Sequence, residues 1–320
     1  MAIIYGRPDS ELKILSQTPY RVEKFEDIDI EHKKLQENLS KEKKIFFEKV
    51  PDKIEEENQE LEKMRDEEKI TEKEFDEKLR ELKDKKENGG FGGFSASLKG
   101  YFVKNYSKKK AINKIKNLQE QQESQIKEWK EHPSRIFHSE QKKTFSEIKQ
   151  FDKLKDDPFY TGAKGEVDVL KNLSHLSDEY HVLCGLSIQL PKFVTYRGRR
   201  NLRSAQMDFV VVSKNGVVLI EVKNWSKRYF QKNKGLSPHE QVDRAGMVLW
   251  ILLNSWRNPK NPSVSSVLLS VRGNMEFDYD YKFVNVKHLN NINYFIENRR
   301  SQFSETDVRK IVNRLRKFIN

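Results

Sequence analysis

The chain has 320 residues and a formal net charge of +12, with 34% charged residues against 36% hydrophobic ones. Globular domains average roughly 25% charged and roughly 45–50% apolar residues, so a single core spread over the whole length is excluded and two structural units are expected. The charge is divided unevenly. Residues 1–157 hold 35 Lys+Arg and 35 Asp+Glu, whereas residues 158–320 hold 26 and 14. This predicts a neutral, charge-dense helical arm over residues 1–157 and a basic compact domain over residues 158–320. One cysteine, Cys184, excludes an internal disulfide and fits a reducing compartment. The opening residues lack a basic stretch followed by an apolar one, and the longest clean apolar run, Met247–Leu253, is far below the ~18 residues of a spanning helix. A cytoplasmic protein with no membrane partner is expected.

In the arm, apolar residues are sparse and helically spaced. Leu35, Leu39 and Phe46 form one set; Leu61 and Met64 begin another, continued by Phe75, Leu79 and Leu82. Ile112, Ile115, Ile126 and Trp129 fit an a/d heptad frame with Gln119 and Gln122 as middle layers. Narrow stripes flanked by Glu and Lys predict coiled-coil seams, hence a homo-oligomer or a partner contact. Pro51 predicts a helix boundary. Residues 88–94 (Asn-Gly-Gly-Phe-Gly-Gly-Phe) are too glycine-rich to hold a helix. They predict a hinge for an antiparallel helical hairpin. The other reading is a phosphate- or membrane-contacting loop, because Phe91, Phe94, Tyr101 and Phe102 lie near Lys99, Lys104 and Lys108–Lys110. No Walker lysine follows these glycines.

Beyond residue 157 the pattern changes. Gly165–Leu176 reads as an amphipathic helix with Val169, Leu170, Leu173 and Leu176 on one side. Short strands are expected at Tyr180–Cys184 and Leu186–Leu190, then a basic loop, Tyr196-Arg-Gly-Arg-Arg-Asn-Leu-Arg203. Gln206–Ser213 and Val217–Lys223 are β-branched runs separated by Lys214-Asn215-Gly216, a hairpin signal. Pro238 opens a helix whose run Met247–Leu253 is apolar all round and expected in the core. Val264–Val271 reads as a strand, and Ser304–Phe318 as a closing helix with a serine cap. Cys184 reads as a small core residue. Alternating strands and helices favour an α/β sandwich.

An Asn215-Gly216 turn would pair Lys214 with Val217, Val210 with Glu221 and Asp208 with Lys223. Side chains alternate with period two, so Asp208, Glu221 and Lys223 would project from one face at the end of an apolar hairpin. Burying three charges there is costly unless they pair or bind an ion. Two readings stay open: a salt-bridge cluster at a strand end, or a Mg²⁺ site in which Lys223 neutralises charge developing on a phosphate.

Gly162-Ala-Lys-Gly-Glu166 opening a helix, then Gln206-Met-Asp-Phe-Val-Val-Val-Ser213, then Asn215-Gly-Val-Val-Leu-Ile-Glu-Val-Lys-Asn-Trp225, resembles the NERD (nuclease-related) domain of the PD-(D/E)xK nuclease superfamily. The resemblance covers roughly residues 158–300. It implies a mixed β-sheet flanked by helices, here preceded by a long α-helical coiled-coil region, and Mg²⁺- or Mn²⁺-dependent phosphodiester cleavage. By this resemblance Asp208 and Glu221 are metal ligands, Lys223 is the catalytic lysine, and Glu166 is a further acidic metal ligand. Gln206 and Gln241 occupy polar positions beside the site. Ser226-Lys-Arg stands where a glycine is common. Read without the resemblance, Glu166 could equally be a solvated first-turn residue and Gln241 an exposed helix residue.

Arg197, Arg199, Arg200 and Arg203 precede Asp208, while Lys227, Arg228, Lys232 and Lys234 follow Lys223. Both sets are expected at the same end of the hairpin, contacting nucleic-acid phosphates, with Tyr196, Trp225 and Tyr229 as stacking platforms. The reading is a metal-dependent endonuclease acting on nucleic acid, DNA by preference, in DNA processing or defence against foreign DNA. Its arm would serve oligomerisation or targeting. The rivals are a non-catalytic nucleic-acid-binding module and a coiled-coil interaction protein.

Overall fold

The computed structural model describes residues 1–19, 22–87, 92–225, 237–256, 262–273 and 275–320. In chain order its helices are α1 (Asp9–Leu15), α2 (Asp27–Glu87), α3 (Gly92–Phe102), a π-helical stretch (Val103–Lys108), α4 (Lys109–Glu131), α5 (Pro133–Glu140), α6 (Lys142–Asp156), α7 (Pro158–Leu173), α8 (Pro238–Ser255), α9 (Ile292–Glu297) and α10 (Glu305–Leu315). The strands are β1 (Ile3–Tyr5), β2 (His181–Tyr196), β3 (Arg199–Ser213), β4 (Gly216–Lys223), β5 (Val264–Ser270) and β6 (Val284–His288).

Two compact units result: residues 1–32 together with 149–320, and residues 33–148. The division therefore differs from the split expected at residue 157. The first 32 residues belong with the sheet because β1 pairs in parallel with β2, Ile3 opposite His181 and Tyr5 opposite Leu183. The helical unit is thus an insertion between residues 32 and 149.

In the sheet unit the six strands lie in sequence order. β2, β3 and β4 form an antiparallel meander; β5 and β6 add in parallel. One face packs Leu183, Met207, Val210 and Leu219 against Val248 and Leu249 of α8 and Ile311 and Leu315 of α10. The other packs Phe209, Ile220 and Val267 against Val169 and Leu173 of α7 and Ile292 and Ile296 of α9. Covered on both sides, β4 is apolar without a break from Val217 to Ile220, as central strands require. The closing helix starts as expected, with Ser304 and Asp307 forming a capping box.

Several expectations are corrected. The two short strands are one long β2, because Gly185 at φ +62° absorbs an irregularity instead of ending the strand. The basic loop is a tight turn at Arg197-Gly198, and Arg199, Arg200 and Arg203 lie on β3. α7 begins at Pro158, capped by Asp157, so Glu166 sits in mid-helix and not in a first turn. In α8, Trp250 is exposed, so the run Met247–Leu253 is not buried all round. Cys184 is fully buried, and burial pushes its thiol up to about 12.

The helical unit is an antiparallel hairpin of α2 against α4. Arg65 pairs with Glu123 at 3.0 Å and Phe46 stacks on Trp129 at 5.7 Å. Gln119 donates to the Met64 carbonyl and Gln122 to Glu57, so the polar layers of the seam bond across the hairpin within one chain. Pro51 lies inside α2 and does not end it, since Phe46–Phe137 packing on one side and the Glu57–Gln122 bond on the other hold the helix through the missing N–H. Of the glycine-rich segment, residues 88–91 lie outside the described residues, and Gly92 already begins α3.

Candidate active site

The β3–β4 hairpin carries the chemistry, in a register one pair away from that expected. Ser213 pairs with Gly216, Val210 with Leu219 and Phe209 with Ile220. The turn is Lys214-Asn215, with Gly216 taking the positive φ of 115°. The cause is the segment packed against it. The Lys214 carbonyl accepts the Gln302 and Phe303 N–H groups, and the Asn215 side chain donates to Tyr180 Oη and the Glu297 carbonyl. A slip of two residues leaves every side chain on its face, so Glu221 and Lys223 still share one side of β4 with Val217 and Leu219. Continued one step past its last pair, Phe209–Ile220, this register points Asp208 toward Glu221 and not Lys223.

Asp208 marks a break in the sheet. The β2–β3 ladder pairs Cys184 with Phe209 and Leu186 with Met207, leaving Gly185 and Asp208 as the skipped rung. The inward-facing set shifts there, since both Met207 and Val210 reach the α8 face. The β3–β4 ladder likewise ends at Phe209–Ile220. Released from both ladders, the Asp208 carboxylate reaches along β4, and its Oδ2 accepts the Val222 N–H at 2.7 Å.

Around it the other expected residues assemble. Glu221 is only 3% exposed. Its Oε1 accepts from Lys223 Nζ at 2.8 Å and from Gln241 Nε2 at 2.6 Å. Gln241 comes from the first turn of α8, whose Ser237 carbonyl receives the Gln241 N–H. It is therefore a site residue and not an exposed helix position. Lys223 also lies 5.4 Å from the centre of the Trp225 ring. Glu166 arrives from α7, which sits close to the end of β4: a Cβ on Gly165 would fall 2.6 Å from Asn224 Cβ, and Asn224 donates to the Thr161 carbonyl.

The electrostatics fit three carboxylates sharing one ammonium. Burial, then the charges of Glu221 and Glu166, raise the Asp208 carboxyl well above its ordinary range against the pull of Lys223 and the Val222 N–H. Burial also lifts Glu166 to about 7; Glu221 and Asp9 add repulsion, while Ser10 and Lys223 oppose it. Burial would lower the Lys223 ammonium, but Glu221 and Asp208 raise it. Asp9 and Ser10 of α1 reach this site through the packing of α1 on α7 and the pairing of β1 with β2, contacts too distant in sequence to be read from it.

Among the described residues, no three His, Cys, Asp or Glu side chains converge with metal-ligand spacing. The donor set nevertheless suits a hard divalent cation. It is all carboxylate oxygen, it carries more negative charge than Lys223 offsets, and Asp208 Oδ1 and Glu221 Oε2 accept no hydrogen bond among the described residues.

The basic residues are placed unequally. Arg197 is exposed but engaged: it donates to the Asp280 carbonyl, faces Asp243 at 3.8 Å and lies 4.0 Å over Tyr281. Tyr196 is buried and donates to Asp243 at 2.8 Å. Arg199 and Arg200 are exposed, and Arg203 is half-buried over Phe193. Gln206 is exposed opposite Ser187. Lys227, Arg228, Tyr229, Lys232 and Lys234 lie outside the described residues.

No curated protein and no solved structure matches the chain significantly. Residues 161–270 match the family model of NERD, the nuclease-related domain, and that stretch, from within α7 to the end of β5, holds Glu166, Asp208, Glu221, Lys223 and Gln241.

Proposed function

We propose that the protein is a nuclease that hydrolyses phosphodiester bonds of nucleic acid, DNA by preference, with Mg²⁺ or Mn²⁺. The observation that carries this reading is the gathering of Asp208, Glu221 and Glu166 about Lys223 at the skipped rung of the sheet, inside the NERD match. A cation held by Asp208, Glu221 and Glu166 would supply Lewis acidity toward a phosphate oxygen and acidify an attacking water. The chain's own groups do the rest. Lys223 neutralises charge that develops on the phosphate. Gln241 fixes the Glu221 rotamer, and the Val222 N–H fixes Asp208. Arg197, Arg199, Arg200 and Arg203, with Lys227 and Arg228, grip backbone phosphates and give affinity without base choice. DNA processing or defence against foreign DNA in the cytoplasm suits such an enzyme. The arm then serves targeting or self-association, for which light scattering is the test: a one-chain mass at micromolar concentration removes the oligomer.

The deciding experiment incubates purified protein with plasmid and single-stranded substrates in Mg²⁺, Mn²⁺ or EDTA. Metal-dependent cutting that vanishes in Lys223→Ala and Asp208→Ala while binding persists supports the proposal. Binding without cutting supports a second reading, a nucleic-acid-binding module that keeps the fold, which the closed ion-pair arrangement at Glu221 favours.

A further inference from the structure

The hairpin end of the arm carries a charge pattern that the catalytic site does not use. From Asn88 to Gln119 the sequence contains no aspartate or glutamate and seven lysines between Lys99 and Lys116. The rest of the arm interleaves both signs. Lys108 pairs with Asp76 and Lys116 with Glu68. Lys99, Lys104, Lys109 and Lys114 have no ion-pair partner among the described residues.

On the same turns, apolar side chains face solvent: Leu98 is 55% exposed, Tyr101 69%, Phe102 62% and Tyr106 61%. Phe102 and Tyr106 lie one turn apart with ring centres at 5.7 Å, and Lys110 Nζ stands 5.9 Å from the Tyr106 ring. The π-helical stretch Val103–Lys108 sets this spacing, and such turns recur at functional sites. Beside them lies a cleft of about 260 Å³ between α2 and α3, with Leu79 and Leu82 in its wall, Lys83, Lys86 and Lys104 around it, and Tyr101 along it.

We infer that this hairpin end is a binding site for single-stranded nucleic acid. Lysines without acidic neighbours attract a phosphate chain, and exposed rings stack on unpaired bases. A duplex hides its base faces, so rings on a convex helix find stacking partners only on an open strand. A bilayer-binding helix sinks a continuous apolar face of Trp, Phe and Leu; here two of the four exposed apolar side chains, Tyr101 and Tyr106, carry hydroxyls, and Lys99, Lys104 and Lys109 lie on the same turns. The inference deepens the nuclease reading by giving it an unpaired-strand substrate. It rests on that reading for its purpose in the cell, not for the binding itself.

The test uses the full-length Lys223→Ala protein, which spares the probe, with labelled oligothymidylate, a duplex of equal length and anionic phosphatidylserine vesicles, over a salt series. Tyr101→Ala/Phe102→Ala/Tyr106→Ala is expected to weaken oligothymidylate binding on the order of ten-fold or more and to leave duplex binding nearly unchanged. Lys99→Gln/Lys104→Gln/Lys109→Gln/Lys110→Gln is expected to flatten the log–log salt slope by up to about 3, at ~0.7 for each phosphate no longer neutralised. The substituted side chains are exposed, and circular dichroism checks the fold. If the ring variant does not fold, the lysine variant alone decides. Unchanged oligothymidylate affinity and salt slope in folded variants would overturn the inference, as would tip-dependent capture of vesicles but not of the strand. Wild-type protein that never cuts, yet loses strand binding through these variants, sinks the nuclease reading and upholds this one.

Discussion

Asp208→Asn separates a functional cluster from a stabilising one. Asp208 faces two carboxylates, Glu221 and Glu166, and one ammonium, Lys223. Like charges about 5 Å apart at an effective dielectric of about 20 cost about 3 kcal/mol. One of the two repulsions is offset by Lys223, so about one remains. The asparagine oxygen still accepts the Val222 N–H, but losing the charge from that bond costs about 1 kcal/mol. Because the raised Asp208 carboxyl already relieves part of this repulsion by taking up a proton, neutralising it should stabilise the metal-free protein by up to about 2 kcal/mol, a Tm rise of up to roughly 8 °C for a unit of this size, while abolishing cleavage. Differential scanning calorimetry in EDTA at neutral pH reads the first effect and plasmid nicking the second. Added Mg²⁺ should raise the wild-type Tm and not that of the variant. A lower Tm for Asp208→Asn in EDTA would refute the reasoning, because the cluster would then be a net stabilising set of ion pairs.

Gln241→Leu should raise the Mg²⁺ concentration needed for half-maximal cleavage by about 10–100-fold, because Glu221 loses its positioning donor; an unchanged metal titration would remove that role. Gly216→Val forces a β-branched residue to φ 115° and toward Gln302, and should cost at least about 1–3 kcal/mol in urea unfolding. His32 is buried between Lys155 and Asp152. Burial first, then Lys155, lowers its proton affinity against Asp152 and Asp29. With the folded pKa lowered, stability is complete above the ordinary value of 6.5 and declines as pH falls below it. Wild type should thus lose more stability than His32→Gln between neutral and acidic pH, and parallel curves for the two proteins would contradict this.

Much of the site was legible because its signals are local. The apolar run Val217–Val222 interrupted by Glu221 and followed by Lys223 can only be a buried strand carrying unexpected charge. Its partner strand lies one turn away in sequence, and the even slip in register preserved the faces. What failed was non-local. Three residues, Ile3–Tyr5, offer no periodicity of their own, and their partner lies beyond the whole arm. Gly185 looked like a gap between strands because a lone glycine reads as a break as readily as a bulge. Pro51 stayed helical because packing on both flanks outweighs its local cost, which sequence alone does not display.

The polypeptide leaves the sheet unit at His32 and re-enters it at Lys149, and near this crossing His32 contacts Asp152 and Lys155. Excising the hairpin therefore calls for a short graft joining these two points. A truncation beginning at residue 158 would instead strip away the edge strand and Ser10, together with Asp9, which accepts the Asn320 amide. Inactivity of such a fragment would report a torn sheet and not a missing arm.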